Sequence, residues 1–194
     1  MDPILRGRGL QPPRGQRTQR GFTLIEVAVA ITVLLMGVAA ISQSLTSTMR
    51  SGTQSRETDR AMQAARAMLE RIQAEAFAHS FRSFNGNAND DPSGAGTAPG
   101  NTFAVEGLRA MPNDADGRPG EILFPTPTLT SNELRENTVD ANWGMPRDLN
   151  GDGVVDAANH ATDYKLLPVR VRVHWQSSNG RECQIQIDTL LANY

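Results

Sequence analysis

Residues 21–27 read GFTLIEV and begin the most apolar part of the chain, which runs as FTLIEVAVAITVLLMGVAAI over residues 22–41. This run contains 20 residues. A helix of that length rises about 30 Å at about 1.5 Å per residue, which matches the hydrocarbon core of a bilayer. The run therefore predicts one membrane-spanning helix close to the N-terminus.

The charge of the chain is divided unevenly between this N-terminal segment and the rest. The first 21 residues contain five arginines and one acid, so their net charge is +4; since the whole chain carries −2, residues 22–194 carry −6. The positive-inside rule predicts that the basic segment stays in the cytoplasm and that the chain after the helix lies beyond the inner membrane. An acidic remainder argues against nucleic-acid binding through a broad basic surface.

Glu26 is the one charged residue in the apolar run. A charged side chain at the centre of a membrane helix costs on the order of 3 kcal/mol on insertion scales. One interpretation places Glu26 at the edge of the membrane, with its carboxylate among the lipid headgroups. The other interpretation is that a specific positive charge pairs with it.

The stretch RGFTLIEV at residues 20–27 resembles the processing site of type IV prepilins, where a basic leader ends in Gly before FTLIEV and an apolar helix. The resemblance implies that prepilin peptidase cuts between Gly21 and Phe22 and methylates the new N-terminus of Phe22. It also implies assembly with other pilin or pseudopilin subunits on an inner-membrane platform. Glu26 would then neutralise the α-ammonium of a neighbouring subunit and set the axial register.

Two alternatives to a processed filament subunit remain open. A secretory signal peptide could end near VAA at residues 38–40, but such a peptide needs neither Glu26 nor a Gly-Phe junction. The second alternative is a membrane-anchored monomer that binds calcium through its head. It also needs neither Glu26 nor the Gly-Phe junction. The sequence of the mature N-terminus distinguishes the signal peptide from the pilin-type cut.

A helical pattern continues beyond the membrane run, and we expect residues 42–84 to extend the same helix. Gly52 is a weak point, because Gly costs about 1 kcal/mol relative to Ala in a helix. Between residues 57 and 81, small and aliphatic side chains recur at helical spacing and predict a face that packs on the head. The predicted face consists of Ala61, Ala64, Ala65, Met68, Ile72 and Ala76.

Residues 85–194 are predicted to form the head. A loop rich in Gly, Asn, Asp and Pro at residues 85–101 precedes two short strands, at residues 102–105 and 121–124. Apolar residues then alternate with polar ones over residues 169–175 and 183–188, on either side of the turn SSNG. The sequence predicts an α+β fold, with a long N-terminal helix packed on a small antiparallel sheet that ends in a C-terminal hairpin. This arrangement resembles the pilin fold.

Residues 148–159 read DLNGDGVVDAAN and resemble a calcium loop of the EF-hand type. Gly153 permits the sharp bend, but Asn159 stands where a bidentate Glu is expected, so the pattern is incomplete. The alternative is an exposed turn without a metal. The candidate calcium ligands are Asp148, Asn150, Asp152, the carbonyl of Val154, and Asp156.

No nucleophile–base pair, phosphate loop or His/Cys metal cluster is evident in the sequence, so we do not expect an enzyme. The single Cys183 excludes an intramolecular disulfide. A short C-terminal hairpin without a disulfide-closed loop resembles minor pilins and minor pseudopilins. We therefore expect a minor subunit of a type IV pilus or a type II secretion pseudopilus, anchored by one span in the inner membrane with its head in the periplasm.

Overall fold

The structure is a computed structural model and describes residues 21–193. Of the predicted leader, residues 1–21, only Gly21 falls within the described part of the chain. The helices and strands follow one another as α1 (Leu24–Ala74), α2 (Phe77–Phe84), β1 (Thr102–Phe103), β2 (Gly120–Leu123), the 3₁₀ helix η1 (Ala141–Trp143), β3 (Leu166–Gln176) and β4 (Glu182–Ala192). A long N-terminal helix followed by a small antiparallel sheet confirms the α+β fold.

Helix α1 is 51 residues long and passes through Gly52 without interruption. The described chain separates into two compact units, one ending at Thr46 and one beginning at Ser47. The first unit contains the apolar run, and the second contains the end of α1 together with α2 and the sheet. The hydrophobic core of the described chain belongs entirely to the second unit.

The predicted apolar face of α1 is confirmed over most of its length. Ala61, Ala65 and Ile72 are fully buried in the core, and Ala64 and Met68 pack against it. Ala76, the last residue predicted for this face, is exposed because α1 has already ended at Ala74.

A break at Ala76 separates α1 from α2, whereas the sequence predicted one continuous helix through residues 42–84. Ala76 has an extended conformation, with φ −58° and ψ 127°, and α2 begins at Phe77. In a continuous helix Phe81 would stand nine residues after Ile72, which at about 100° per residue is the opposite face. The break turns Phe81 inward, where it is fully buried and packs edge-on against Phe124 with ring centroids 5.2 Å apart.

The sheet has the order β1-β2-β3-β4, and every neighbouring pair is antiparallel. The C-terminal hairpin is confirmed and is longer than predicted, with eleven pairs from Leu166 opposite Ala192 to Gln176 opposite Glu182. The apolar side chains of β3 fill the core next to α1. Those fully or almost fully buried are Leu167, Val169, Val171, Val173 and Trp175.

The two short strands are present but displaced slightly from their predicted bounds. β1 ends at Phe103, two residues early, and β2 ends at Leu123, before Pro125. Gly120 is opposite Phe103, and a Cβ atom at Gly120 would lie within 2.3 Å of the Phe103 ring. This close approach explains why a glycine begins β2.

Candidate functional site

The predicted processing junction lies just before the first turn of α1. Gly21 and Phe22 precede the helix, which begins at Leu24. Phe22 is 82% exposed and Gly21 has open space around its Cα. Both residues are therefore accessible to a processing enzyme.

Thr23 and Glu26 form a reciprocal cap at the start of α1. The backbone N–H of Glu26 donates to the hydroxyl of Thr23 at 3.3 Å, and the N–H of Thr23 donates to the carboxylate of Glu26 at 3.5 Å. A Thr followed three residues later by a Glu is the capping-box pattern, which satisfies N–H groups that the helix leaves free. The negative charge of Glu26 also interacts favourably with the helix N-terminus. Glu26 thus has a local structural role in addition to the predicted one between subunits.

The apolar run presents its side chains outward on all sides. Over the whole run no side chain is buried within the described residues, and Leu24, at 89%, is the most exposed of the large apolar ones. Among the described helices, α1 alone is long and apolar enough to cross a membrane, judged by length and composition. So much exposed apolar surface requires lipid or other apolar helices around it.

The hydroxyl groups of Thr32, within this run, and of Ser42, just after it, are satisfied inside the helix. Thr32 donates to the carbonyl of Ala28 at 2.8 Å, and Ser42 donates to the carbonyl of Val38 at 2.9 Å. Polar groups satisfied in this way cost little in an environment without water. Glu26 is then the one charged group within residues 22–41 that an apolar environment penalises.

The predicted calcium loop is an exposed turn that carboxylates hold together. Asp148 accepts the N–H of Gly151 at 2.6 Å on one oxygen and the N–H of Gly153 at 2.7 Å on the other. These bonds hold the pKa of Asp148 below its usual value, and the bond from Gly153 has the largest effect. Asn150 and Asp152 contact each other at 3.2 Å, and Val154 is exposed.

Three side chains of the described residues come close enough together to hold a metal ion. Ligand atoms of Glu136, Asp156 and His160 lie within 4.8 Å of one another. Only Asp156 belongs to the predicted calcium set, and Asp148, Asn150, Asp152 and Val154 remain predicted ligands. Carboxylate oxygens with an imidazole nitrogen suit a divalent transition metal better than calcium, which prefers oxygen ligands alone.

Glu136 organises this region and was not anticipated from the sequence. It is fully buried, and its carboxylate accepts the N–H groups of Leu149 at 2.6 Å, Asn150 at 3.3 Å and Asp156 at 3.2 Å. No local motif around residue 136 indicates this role, because its partners lie 13 to 20 residues later.

His160 lies beside Glu136 and contacts carboxylates through both ring nitrogens. Nε2 lies 3.2 Å from Asp156 and 3.7 Å from Glu136, and Nδ1 lies 3.3 Å from Asp163. Burial alone lowers the pKa of His160, but the bond to Asp156 and the charges of Glu136 and Asp163 outweigh it and raise the pKa. The surrounding carboxylates therefore stabilise the imidazolium form relative to an isolated histidine.

Glu57 is a second buried carboxylate that was not anticipated, and it joins α1 to the turn between β3 and β4. It accepts bonds from the hydroxyl of Ser177, from the N–H of Ser178 at 3.1 Å and from the indole N–H of Trp175 at 3.5 Å. Glu57 lies four residues before Ala61 and eight before Ala65, so it continues the buried face. That spacing is the signal by which the sequence could have identified it.

Comparison with known proteins gives a match at the N-terminus. Residues 16–42 match the family model of the prokaryotic N-terminal methylation motif. No curated protein and no solved structure matches the chain. The matched residues include the Gly21-Phe22 junction, the Thr23–Glu26 cap and the apolar run. The chain therefore carries the prokaryotic N-terminal methylation motif, which is the type IV pilin signature, at the beginning of a long apolar helix.

Proposed function

We propose that this chain is a filament subunit that is cut between Gly21 and Phe22, methylated at Phe22 and assembled through its N-terminal helix. The motif supports a type IV pilin-like or pseudopilin-like precursor, a structural subunit that assembles with other pilin subunits after prepilin peptidase has processed it. The observation that carries the proposal is Glu26, the one carboxylate in the otherwise uncharged and exposed apolar run of residues 22–41.

The charge of Glu26 supplies the specificity of assembly. Cleavage after Gly21 creates an α-ammonium at Phe22, four residues from Glu26 along the chain. When apolar helices pack together, an unpaired carboxylate between them is penalised by several kcal/mol, and pairing with a positive charge offsets much of that penalty. Packing of the apolar surfaces therefore provides the attraction, and the ammonium–carboxylate pair between neighbouring subunits selects the axial stagger.

The proposed location follows from the charge pattern. The arginine-rich leader stays in the cytoplasm until it is removed, residues 22–41 span the inner membrane once, and the head lies in the periplasm. The subunit then passes through the assembly platform into a pilus or a pseudopilus. The proposed segments are the leader at 1–21, the membrane and assembly helix at 22–41, its amphipathic continuation at 42–84 and the head at 85–194.

We further assign the chain a minor role, at the tip or the start of the filament. Two features support this assignment: β3 and β4 form a simple hairpin, and Cys183 is a free thiol, so no disulfide closes a loop of the head.

The capping box allows the assembly role of Glu26 to be tested separately from its local role. Glu26→Gln keeps an amide oxygen that can cap the helix but removes the charge. Thr23→Val removes the capping hydroxyl but leaves the charge. We expect all three variants, Thr23→Val, Glu26→Gln and Glu26→Ala, to be cleaved after Gly21. Thr23→Val should enter filaments normally, whereas Glu26→Gln and Glu26→Ala should be largely excluded.

The measurements are mass spectrometry of the mature N-terminus and the amount of the chain in sheared filaments. A methylated Phe22 supports the pilin-type cut, whereas a mature chain that begins near Ile41 or Ser42 would show a signal peptidase instead. Normal incorporation of Glu26→Gln would refute the charge pairing. Loss of Thr23→Val to the same extent would show that the cap is required as well, so that the effect is not specific to the charge.

A further inference from the structure

The group formed by Glu136, Asp156 and His160 differs from an ordinary patch of surface acids. Its centre is a buried imidazole next to a fully buried carboxylate, and only the Asp156 side chain is about half exposed. Ligand atoms of all three residues lie within 4.8 Å of one another. Two carboxylate oxygens and one ring nitrogen therefore face a common point below the surface of the head.

The distances between these atoms match those around a four-coordinate transition metal. Zn²⁺ binds nitrogen and oxygen at about 2.0–2.2 Å in a tetrahedral arrangement, so its ligand atoms lie about 3.3–3.6 Å apart. Nε2 of His160 lies 3.2 Å from Oδ1 of Asp156 and 3.7 Å from the Glu136 carboxylate. The two separations bracket the range that a tetrahedral ion requires.

Backbone hydrogen bonds between two segments of the head bring these side chains together. His160 donates its N–H to the carbonyl of Leu134 at 2.9 Å, and Leu134 donates its N–H to the side chain of Asn159 at 3.1 Å. Glu136, two residues after Leu134, is held by N–H groups of residues 149–156. The fold thus pre-organises the three side chains, which lowers the cost of binding a ligand between them.

The other ring nitrogen of His160 faces a carboxylate of its own. Nδ1 lies 3.3 Å from Asp163. A metal-binding histidine usually donates its second ring N–H to a carboxylate or carbonyl, which fixes the tautomer and directs the other nitrogen at the metal. With its proton on Nδ1, His160 has a free electron pair on Nε2, the nitrogen that faces Glu136 and Asp156.

The charge around His160 is not balanced by the protein. The carboxylates of Glu136, Asp156 and Asp163 contact this one imidazole, and no Lys or Arg within the described part of the chain forms an ion pair with them. Three negative charges and one imidazolium leave −2, whereas a divalent ion beside a neutral imidazole leaves −1. A buried carboxylate is costly without a compensating charge, so a divalent ion is favoured here.

We propose that Glu136, Asp156 and His160 bind one divalent transition-metal ion, of the class of Zn²⁺, with water from the exposed side of Asp156 as the fourth ligand. The nitrogen ligand and the short separations favour such an ion over Ca²⁺, which takes six to eight oxygens at about 2.3–2.6 Å. The ion links the segment around Glu136 to the loop that follows it and so stabilises the head. The site lies in the Ser47–Tyr194 unit and does not depend on processing of the N-terminus.

Titration with Zn²⁺ tests the site in the full-length protein. The protein is held in detergent micelles, stripped with EDTA and titrated with ZnCl₂ in a calorimeter. We expect one equivalent of Zn²⁺ to bind and to raise the melting temperature, because an ion that binds only the folded state stabilises it. Co²⁺ in place of Zn²⁺ should show the visible absorption of a four-coordinate ion.

Two conservative variants separate metal binding from folding. Asp156→Asn removes one ligand charge at a half-exposed position, and we expect it to weaken Zn²⁺ binding at least about tenfold. Asp163→Asn leaves all three ligands in place but removes the outer carboxylate, which should weaken binding about 10- to 100-fold. The controls are His79→Asn and Cys183→Ser, at other metal-binding side chains, and Asp152→Asn in the predicted calcium loop. Circular dichroism without metal confirms that each variant is folded.

Weaker binding in both Asp156→Asn and Asp163→Asn, with the controls equal to wild type, supports the proposal. No binding of Zn²⁺ by the wild type would overturn it and would leave His160 as a buried ion pair. Unchanged affinity in Asp163→Asn would overturn the role of that residue in orienting the imidazole.

The controls give the remaining outcomes. An equal loss of affinity in Asp152→Asn would place the ion in the exposed loop and would overturn the proposal. Loss of binding only in His79→Asn or Cys183→Ser would show adventitious binding elsewhere and would overturn it too. Filament incorporation of Glu26→Gln has no bearing on these results, so this proposal and the proposed function fail separately.

Discussion

Two buried carboxylates, Glu57 and Glu136, hold together parts of the head that are distant in sequence. Neither has a Lys or Arg partner within the described residues, and both rely on N–H or O–H donors. A hydrogen bond to a charged group is worth about 1.5–3 kcal/mol, and a donor left without its acceptor costs about 1–3 kcal/mol. Each carboxylate is therefore a point at which one substitution affects the whole head.

Glu57→Gln should lower the free energy of unfolding by about 1–2 kcal/mol at neutral pH, because the charge that strengthens three hydrogen bonds is lost. Burial alone raises the pKa of Glu57, but the bonds from Ser177, Ser178 and Trp175 outweigh it and lower the pKa. A lowered pKa contributes stability above the unfolded value of 4.5, and this contribution disappears as the pH falls through the folded pKa. Denaturant unfolding monitored by tryptophan fluorescence at several pH values measures both effects.

Glu70→Gln is the matched control for Glu57→Gln, since Glu70 lies exposed on the same helix. It should leave the unfolding free energy unchanged within about 0.5 kcal/mol. Below the folded pKa, wild type and Glu57→Gln should converge. A constant difference between them at every pH would contradict a role for the charge.

Glu136→Ala should destabilise the head by about 3 kcal/mol, because the N–H groups of Leu149, Asn150 and Asp156 lose their acceptor. The same variant should make residues 148–156 sensitive to protease.

Glu133→Ala is the control for Glu136→Ala. Glu133 pairs with Arg135 near the surface, and removal of such a pair costs less than about 1 kcal/mol. Equal stability of the two variants would contradict the organising role of Glu136.

At the scale of secondary structure, patterns that repeat locally were predictable and those set by distant contacts were not. Alternation over residues 169–175 and 183–188 predicted the hairpin, since strand faces repeat every second residue. The end of α1 was not predicted, because Ala76 is a good helix former and the break arises from burial of Phe81 against Phe124. The processing motif could be recognised because GFTLIEV lies within seven residues. The hydrogen-bond partners of Glu57 could not be predicted, because they lie 118 to 121 positions later in the chain.

The buried face of α1 can be tested with one substitution at two positions. Ala65→Leu inserts three carbon atoms into a fully buried position and should cost about 1–3 kcal/mol by overpacking. Ala67→Leu makes the same change two residues later, on the exposed face, and should change stability by less than about 0.5 kcal/mol. Thermal unfolding followed by circular dichroism compares them. Equal melting temperatures would show that this face does not pack as described.

At the scale of the whole molecule, the core and the apolar run belong to different units. Every buried apolar residue of the described core, from Ala61 onward, lies in the unit that begins at Ser47. The exposed run of α1 contributes nothing to that core, so its apolar side chains serve contacts with lipid or other helices.

A fragment consisting of residues 47–194 should therefore fold and remain soluble, because it retains the whole core. A fragment beginning at residue 67 lacks Glu57, Ala61 and Ala65 and should fail to fold cooperatively. Near-ultraviolet circular dichroism and denaturant titration distinguish the two. Cooperative unfolding of the shorter fragment would show that the end of α1 alone suffices for the head.

The continuity of α1 from Leu24 to Ala74 has a mechanical consequence. Tension applied to the N-terminus is carried along a single helical backbone and enters the head through the hydrogen bonds of Glu57 to the turn between β3 and β4. If this link is weakened, the load falls next on the packing of Ala61, Ala65 and Ile72. Under pulling, the head should then separate from the helix at lower force, although the sheet itself is unchanged.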